Sequence, residues 1–306
     1  RMLFAYSNPG TLTVHAPAKL NLYLSIDDKR SDGFHEITSL MLSVGIYDTL
    51  VFTEEPSAEV ELRVTEANSL LTPLKKNRQR IPAGEENLVV RAIRLLQEQT
   101  GQHQGIRIEL IKRIPAEAGL GGGSSDAAAA LFAANKLWRL GLSISELCEI
   151  AAKLGSDIPF FLTASHSAIC RGRGEIIEPV SVPQCLHFVV VRPQSGLSTA
   201  EVYRHCRVGS HSENQVEQLV SNLASGQFHA LSSLMLNDLQ APAEKLNSDI
   251  LILKDYFSKQ SVLGHMMSGS GTAYFGVCQN RAQASQIAAR LRSTVKGHVF
   301  VVQNRL

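Results

Sequence analysis

The sequence is short of net charge, of patterned cysteine, of long apolar runs and of repeats, and each shortage excludes something. Its 30 Lys and Arg nearly balance 28 Asp and Glu, leaving a formal +2 with His neutral. That balance argues against a nucleic-acid binder relying on counterion release. The most basic run, "KKNRQR" at Lys75–Arg80, carries no interleaved aromatics and sits between Pro73 and Pro82. It reads as a solvated loop in preference to a phosphate or RNA patch. The five cysteines (Cys148, Cys170, Cys185, Cys206, Cys278) form no C-x-x-C pair, which fits reduced thiols in a cytosol better than a disulfide framework or a zinc site. No apolar run approaches the ~18 residues of a membrane span, and no basic-then-apolar leader opens the chain. Arg1 precedes Met2 and reads as an addition ahead of it. No period of about 20–50 residues repeats, so solenoids and propellers drop out.

What is present is a globular composition: 306 residues, 44% apolar and 19% charged, with a mean hydropathy near zero. That length suits two ordinary domains or one large one. Thr11–Ile26 reads as extended, with strands following at 43–53 and 59–65 and a polar loop over 66–87. Asn87 stands where an N-cap belongs, ahead of a helix that Gly101 ends. Ile106, Ile108 and Leu110 alternate as a strand running up to Pro115. Ala127, Ala130, Leu131, Ala134 and Leu137 keep helical spacing up to Gly141, and Ser143 with Glu146 makes a capping box for the next helix. An apolar, strand-like segment follows, then a loop around "RGRGE". From Leu186 the pattern restarts as strand, helices, two strands, helix and strand, a split β-α-β layout of its own. Both halves read as α+β, with the boundary at residue 165.

The densest signal is "IPAEAGLGGGSSDAAAAL", Ile114–Leu131, where a strand delivers the chain to a glycine loop and a serine-capped helix leaves it. Helix N-termini carry unpaired N–H groups and partial positive charge, and glycines let backbone amides approach an anion, so the pattern is a natural phosphate cradle. The bland alternative is a flexible loop or a tight packing turn. Two standard cradles do not fit. A Walker A loop needs a Gly-Lys dipeptide that the chain lacks, and Ser124 stands where a G-x-G-x-x-G fingerprint needs its third glycine. Gly122 is read as a position where backbone meets phosphate and positive φ is expected.

The stretch "PAEAGLGGGSSDAA" resembles the second motif of the GHMP kinases, the superfamily of galactokinase, homoserine, mevalonate and phosphomevalonate kinases. "APAKLNLYL" and "MMSGSGTAYFGV" resemble its other two motifs, and "RSDGFHEITSLM", "LGSDIPFFL" and "RPQSGLSTAEVY" resemble the branch acting on a cytidine diphosphate-linked methylerythritol. The resemblance implies an α+β fold in two domains. Residues 1–165 would form a ribosomal S5 domain 2-like, ATP-binding domain, and 166–306 a ferredoxin-like GHMP C-terminal domain. It implies ATP and Mg²⁺ as cofactors, a small-molecule acceptor, no nucleic acid or membrane, a cytoplasmic location, and a monomer or weak homodimer. Another GHMP small-molecule kinase, or a nucleotide sensor without turnover, is the alternative.

By the same resemblance, Asp157 accepts the proton of the attacking hydroxyl; otherwise it is a turn-forming Asp before an X-Pro pair. Lys19 lies beside it and keeps it ionised; otherwise it is a snorkelling lysine. Pro115, Ala116, Glu117, Ala118, Gly119, Leu120, Gly121, Gly122, Gly123, Ser124 and Ser125 hold the phosphates. Ser125 is a possible metal ligand, and the carboxylate partner of the metal is not placed. Asn87 contacts the adenine edge and can still cap its helix. Gly269, Ser270 and Gly271 approach and support the phosphate loop. Asn21, Phe34, His35, Thr199 and Tyr203 line the acceptor side, with Phe34 standing where the branch usually has tyrosine and Tyr203 where phenylalanine is familiar. Phe34 and Tyr203 are read as two faces of a base clamp, one from each domain.

Overall fold

A computed structural model of the chain describes residues 2–67, 81–163, 165–209, 211–212 and 214–304; the basic run at 75–80 lies outside them. The chain forms two compact units, and neither is one stretch of sequence. The first takes Arg1–Ala18, Ile46–Ile114 and Gly121–Ala164, and the second takes Lys19–Gly45, Pro115–Leu120 and Ser165–Leu306. Strands β2 (Thr11–Lys29) and β3 (His35–Glu55) are long enough to contribute residues to both. On that division Phe34 and Tyr203 fall in the same unit.

In the first unit, β1 (Leu3–Asn8) pairs antiparallel with the start of β2, Leu3 opposite His15. The far part of β3 pairs antiparallel with β5 (Gly105–Lys112), Thr49 opposite Ile111, and β4 (Val60–Glu66) lies parallel to β5. Alternation does the sorting: Leu12, Val14, Leu50, Phe52, Ile106, Ile108 and Leu110 are all buried, each worth about 1.5–3 kcal/mol relative to exposure. The helices are α1 (Leu88–Thr100), α2 (Gly122–Leu137), α3 (Ile144–Ala152) and α4 (Ile158–Leu162). Asn87 caps α1 by accepting from the Val89 N–H at 2.9 Å, and Gly101 ends it at φ +67°. Ser143 and Glu146 form the reciprocal box that starts α3. The apolar stretch between Gly155 and the "RGRGE" loop divides: the strand expectation holds at Ser167–Arg171, whereas "IPFFL" is helix α4. A short apolar run has no periodicity to separate the two states, and a proline in the first turn of a helix lacks only an N–H that would be unpaired anyway.

In the second unit, β6 (Ser167–Arg171) pairs antiparallel with the near part of β3, and β7 (Ile176–Pro179) pairs with β6. A four-stranded antiparallel sheet runs β10–β11–β8–β12, built from β8 (His187–Pro193), β10 (Gly264–Met267), β11 (Tyr274–Cys278) and β12 (Gly297–Gln303). Helices α5 (Thr199–Arg204), α6 (Gln215–Ser225), α7 (Leu231–Leu234), α8 (Gln240–Leu246) and α9 (Ser248–Ser258) fall between β8 and β10. The short strand β9 (Leu236–Asn237) lies parallel to β2, and α10 (Arg281–Thr294) joins β11 to β12. That order is the split β-α-β, ferredoxin-like arrangement expected from residue 186 onward. Its core gathers Val189, Val191, Phe257, Met267, Tyr274 and Leu291 with Leu24 and Ile37 of the long strands. No disulfide joins any of the five cysteines, all of which lie among the described residues.

Candidate active site

The exit side of the glycine loop belongs to the first unit. Helix α2 begins at Gly122 with Gly121 as its N-cap at φ +70° and no side-chain cap, so the expected serine cap is replaced by glycine. A left-handed cap needs no Cβ, and Ser124 and Ser125 become first-turn residues. Gly122 also departs from expectation: Gly119 and Gly121 hold the positive φ angles, and Gly122 is helical. Ser125 and Asp126 are buried, and Ser125 Oγ and Asp126 Oδ1 have no hydrogen-bond partner. Beneath them lies a group that the sequence reading missed. Lys112 Nζ is bonded to Asp48 Oδ2 and, at 2.7 Å, to Asp126 Oδ2. Burial raises the Asp126 carboxyl above its ordinary value against the pull of Lys112. Burial works against the Lys112 charge, yet the two carboxylates, Asp126 foremost, lift it above the ordinary lysine value. The signal was there: Lys112 shares the inward parity of Ile106, Ile108 and Leu110, as Asp48 shares that of Ile46 and Leu50.

The entrance side, Pro115–Leu120, belongs to the second unit, where its carbonyls are tied to the protein's own donors. Arg192 Nη2 reaches the Ala116 carbonyl at 3.5 Å, the Ala273 N–H donates to Ala118 at 3.0 Å, Ser268 Oγ donates to Gly119 at 3.0 Å, and the Lys19 N–H donates to Leu120 at 2.9 Å. With the carbonyl edge engaged, an approaching anion meets the amide edge. A Cβ on Gly119 would stand 2.0 Å from the Ser268 carbonyl oxygen, so only glycine permits this approach. Gly269, Ser270 and Gly271 sit in the turn between β10 and β11, and a Cβ on Gly269 would lie 3.1 Å from Lys19 Nζ and 3.2 Å from the Gly119 carbonyl. Lys19 is buried and donates from Nζ to Asn21 Oδ1; Asn21 donates to Ser39 Oγ at 2.8 Å, which donates to the Tyr23 carbonyl at 2.8 Å. Lys19, Asn21 and Gly269 thus share one neighbourhood. Thr199 Oγ1 and Ser270 Oγ are hydrogen-bonded at 2.7 Å, linking α5 to the same turn.

His35 and Tyr203 also meet, and Phe34 precedes His35 in the chain. The His35 and Tyr203 rings lie 5.4 Å apart, Cys206 Sγ is 3.7 Å from His35 Nε2, and the Arg173 guanidinium covers the exposed Phe34 ring at 4.9 Å. Burial, and then the charge of Lys29, hold the His35 imidazole below its ordinary value. Arg173 and Cys206 were not anticipated; both come from distant segments without a motif of their own. Asp157 stands half-buried at the start of α4 and does not cap that helix with its side chain. Asn87 is committed at both ends of its amide, accepting from Val89 and donating to the Pro82 carbonyl at 2.6 Å.

Residues 87–165 match the family model described as GHMP kinases N terminal domain, and residues 219–297 match GHMP kinases C terminal. The chain is similar to the 4-diphosphocytidyl-2-C-methyl-D-erythritol kinase of Pelotomaculum thermopropionicum, 38% identical over 92% of this chain and 94% of that one. The enzyme of the same name from a Geobacillus species is 36% identical over 92% and 93%. A crystal structure of 4-(cytidine 5'-diphospho)-2C-methyl-D-erythritol kinase matches at 34% identity and TM-score 0.76, covering 95% of this chain and 98% of that one. Homoserine kinase from Cytophaga hutchinsonii matches at TM-score 0.73 but 19% identity over 99% and 98%, a likeness in fold alone. With a glycine-capped helix at one motif, a glycine turn close to Gly119 at another and relatives matching along nearly the whole chain, this protein belongs to the GHMP kinases and, among them, to the 4-diphosphocytidyl-2-C-methyl-D-erythritol kinase family.

Proposed function

We propose that the protein transfers the γ-phosphoryl group of ATP to the 2-hydroxyl of 4-diphosphocytidyl-2-C-methyl-D-erythritol, in the non-mevalonate route to isoprenoid precursors. The observation that carries this is the 34–38% identity, over more than nine-tenths of the chain, to proteins named for that reaction. Homoserine and mevalonate acceptors are not favoured, since those kinases share only the fold. We take residues 1–165 as the ATP-binding domain and 166–306 as the C-terminal domain of a cytoplasmic monomer or weak homodimer.

Phosphoryl transfer asks a protein mainly for positioning and charge neutralisation. The loop fits the nucleotide's phosphates on two counts: its carbonyl edge is already occupied, and the buried Ser125 hydroxyl has no partner among the described residues. In this reading Pro115–Ser125 holds the phosphates, Gly271 supports the loop, Asn87 meets the adenine edge, and Ser125 is the hydroxyl offered to Mg²⁺. The metal, when bound, neutralises charge on the phosphates. Asp157 takes the proton of the attacking hydroxyl, and Lys19 lowers that hydroxyl's pKa. Asn21, Phe34, His35, Thr199 and Tyr203 orient the acceptor.

The test is ADP release with the cytidyl substrate set against homoserine, mevalonate and galactose. Turnover confined to the cytidyl substrate is expected, and turnover with any of the others in its place overturns the reading. Asp157→Asn should lower kcat by about 10²–10⁴-fold while ATP still binds; an unchanged kcat removes Asp157 as the base.

A further inference from the structure

The buried Asp48–Lys112–Asp126 group belongs to no motif that defines the family resemblance. Its bonds reach both ends of the glycine loop. Asp48 Oδ1 accepts from the N–H of Arg113 and, at 2.9 Å, of Ile114, the two amides just past the end of β5. Its other oxygen accepts from Lys112 Nζ, which donates onward to Asp126 Oδ2 at 2.7 Å on the first turn of α2. One ammonium therefore joins the residues that enter the loop to the residues that leave it. The helix start is seated on the same group, since a Cβ on Gly122 would stand 2.9 Å from Ile114 Cγ2 and 3.2 Å from Lys112 Nζ.

Energetics separate this arrangement from ordinary core packing. Lys112 is 6% exposed, Asp48 0% and Asp126 1%. Replacing a buried ion cluster by apolar residues of similar volume is often neutral or stabilising, so an ammonium buried with two carboxyl groups is a poor way to gain stability. What such a cluster supplies is directional, charge-assisted geometry. Here the geometry concerns the separation of strand end and helix start, which sets where the loop's amides point.

We propose that Lys112, held by Asp48 and Asp126, is a positioning residue for nucleotide binding: a buried clamp that fixes the span between Ile114 and Gly121 and so presets the phosphate-binding backbone. The proposal rests on reading the loop as an ATP cradle. It assigns no contact with the nucleotide to the clamp itself.

The test compares Lys112→Met/Asp126→Asn, which removes the ammonium and one carboxylate together, with Asp126→Asn alone, which keeps an amide oxygen for Lys112. Mg–ATP affinity is measured by calorimetry, KM for each substrate by ADP release, and Tm by scanning. For the double variant we expect ATP Kd and KM to rise about 10- to 100-fold, with acceptor KM within about twofold. Asp126→Asn alone should recover most of the affinity, losing less than about fivefold. A folded double variant with wild-type ATP affinity overturns the proposal, and so does an equal rise in both KM values, the mark of general loosening. Should the double variant not fold, Asp126→Ala, which leaves the Asp48–Lys112 pair, is measured in the same way, and unchanged ATP affinity overturns the clamp. Wild-type protein that binds ATP but does not phosphorylate the cytidyl acceptor sinks the proposed function alone, because calorimetry still decides the clamp.

Discussion

Around Pro115–Ser125 the chain works with backbone. Side chains are pared away, carbonyls are tied down on one edge, and shape comes from φ angles at Gly119 and Gly121 that other residues resist. Around Phe34, His35 and Tyr203 it works with side chains. Rings and a guanidinium from three separate segments meet on backbone that is ordinary strand and helix, apart from the turn bearing Phe34. In the first kind of region a Cβ at Gly119 would meet backbone, and in the second the shape is carried by side chains. Phe34 and Tyr203 fall in the second region, and in the first Glu117 holds a left-handed angle.

The sharpest way to break this contrast lies within the loop itself. Gly119→Ala places a methyl 2.0 Å from the backbone carbonyl of Ser268 at φ +72°. Backbone cannot rotate aside as a side chain can, so the loop must shift bodily. We expect ATP affinity to fall by about 100-fold or more and stability by on the order of 3 kcal/mol. Gly122→Ala meets Ile114 Cγ2 at 2.9 Å and Ile114 Cβ and Lys112 Nζ at 3.2 Å, side-chain atoms and not backbone, at a helical φ. It should weaken ATP less than about tenfold, with Ala favoured over Gly by about 0.5–1 kcal/mol as a helical residue. Calorimetry on the pair checks this, and equal losses would mean that the loop is not shaped where its φ angles say.

The same contrast explains what was legible. Glycines have few reasons to cluster, so the loop announced itself, and Asn87, Gly101, Ser143 and Glu146 mark helix ends by local chemistry that the structure repeats. "HFVVVRP" reads as β8 because an apolar run that short, ended by proline, has few other uses. Local signals failed where two states share one pattern, as in α4, and where the partner is far along the chain. Asp48 and Lys112 are 64 positions apart, and each alone looks like a surface charge until strand parity turns it inward. Arg173 over Phe34 is likewise a product of the β6–β7 turn, which the "RGRGE" loop does not disclose.

In the side-chain region, Tyr203→Ala should raise the acceptor KM by about 5- to 150-fold, the range of one lost base–aromatic stack. ATP KM should stay put. Tyr203 is half-buried against the second unit's core, so some loss of Tm accompanies the change, and Tyr203→Phe should recover both. A fall in Tm with the acceptor KM intact would make Tyr203 a packing residue and leave His35 without a ring partner in recognition.

His35 sharpens the comparison through pH. Its folded value is held below the ordinary 6.5 by burial and then by Lys29. Below about pH 6.5 the unfolded chain takes up a proton that the folded chain resists, so stability is lost as pH falls, and the loss levels off once the folded value is passed. Replacing His35 by Gln removes that proton uptake and should flatten part of the slope of urea midpoint against pH. Half-buried His265, lowered for the same first cause, supplies another part. A slope unchanged by His35→Gln would show that the His35 site does not discriminate against the charged ring.

The smallest effect tests whether the backbone region has one position still open to improvement. Glu117 is exposed and holds φ +50°, the only residue of the Pro115–Ser125 loop other than glycine in the left-handed region. That conformation costs an L-residue about 1–2 kcal/mol, and replacing it by glycine returns about 0.5–1 kcal/mol to the unfolded chain's entropy. The difference favours Glu117→Gly by roughly 0.5–1 kcal/mol, or about 1–3 °C in Tm for a chain of this size. The carboxylate lies close to Gly196, where a Cβ would stand 3.5 Å from its Oε2, and it bears a negative charge inside a segment read as a phosphate cradle. Removing that charge should leave ATP affinity equal or slightly higher at low salt, with the gain fading as salt screens it. Thermal scans and calorimetry at two ionic strengths measure both effects. A lower Tm together with weaker ATP binding would show that the side chain at 117 holds the loop in place, and the contrast between a backbone-built and a side-chain-built region would then fail at its own centre.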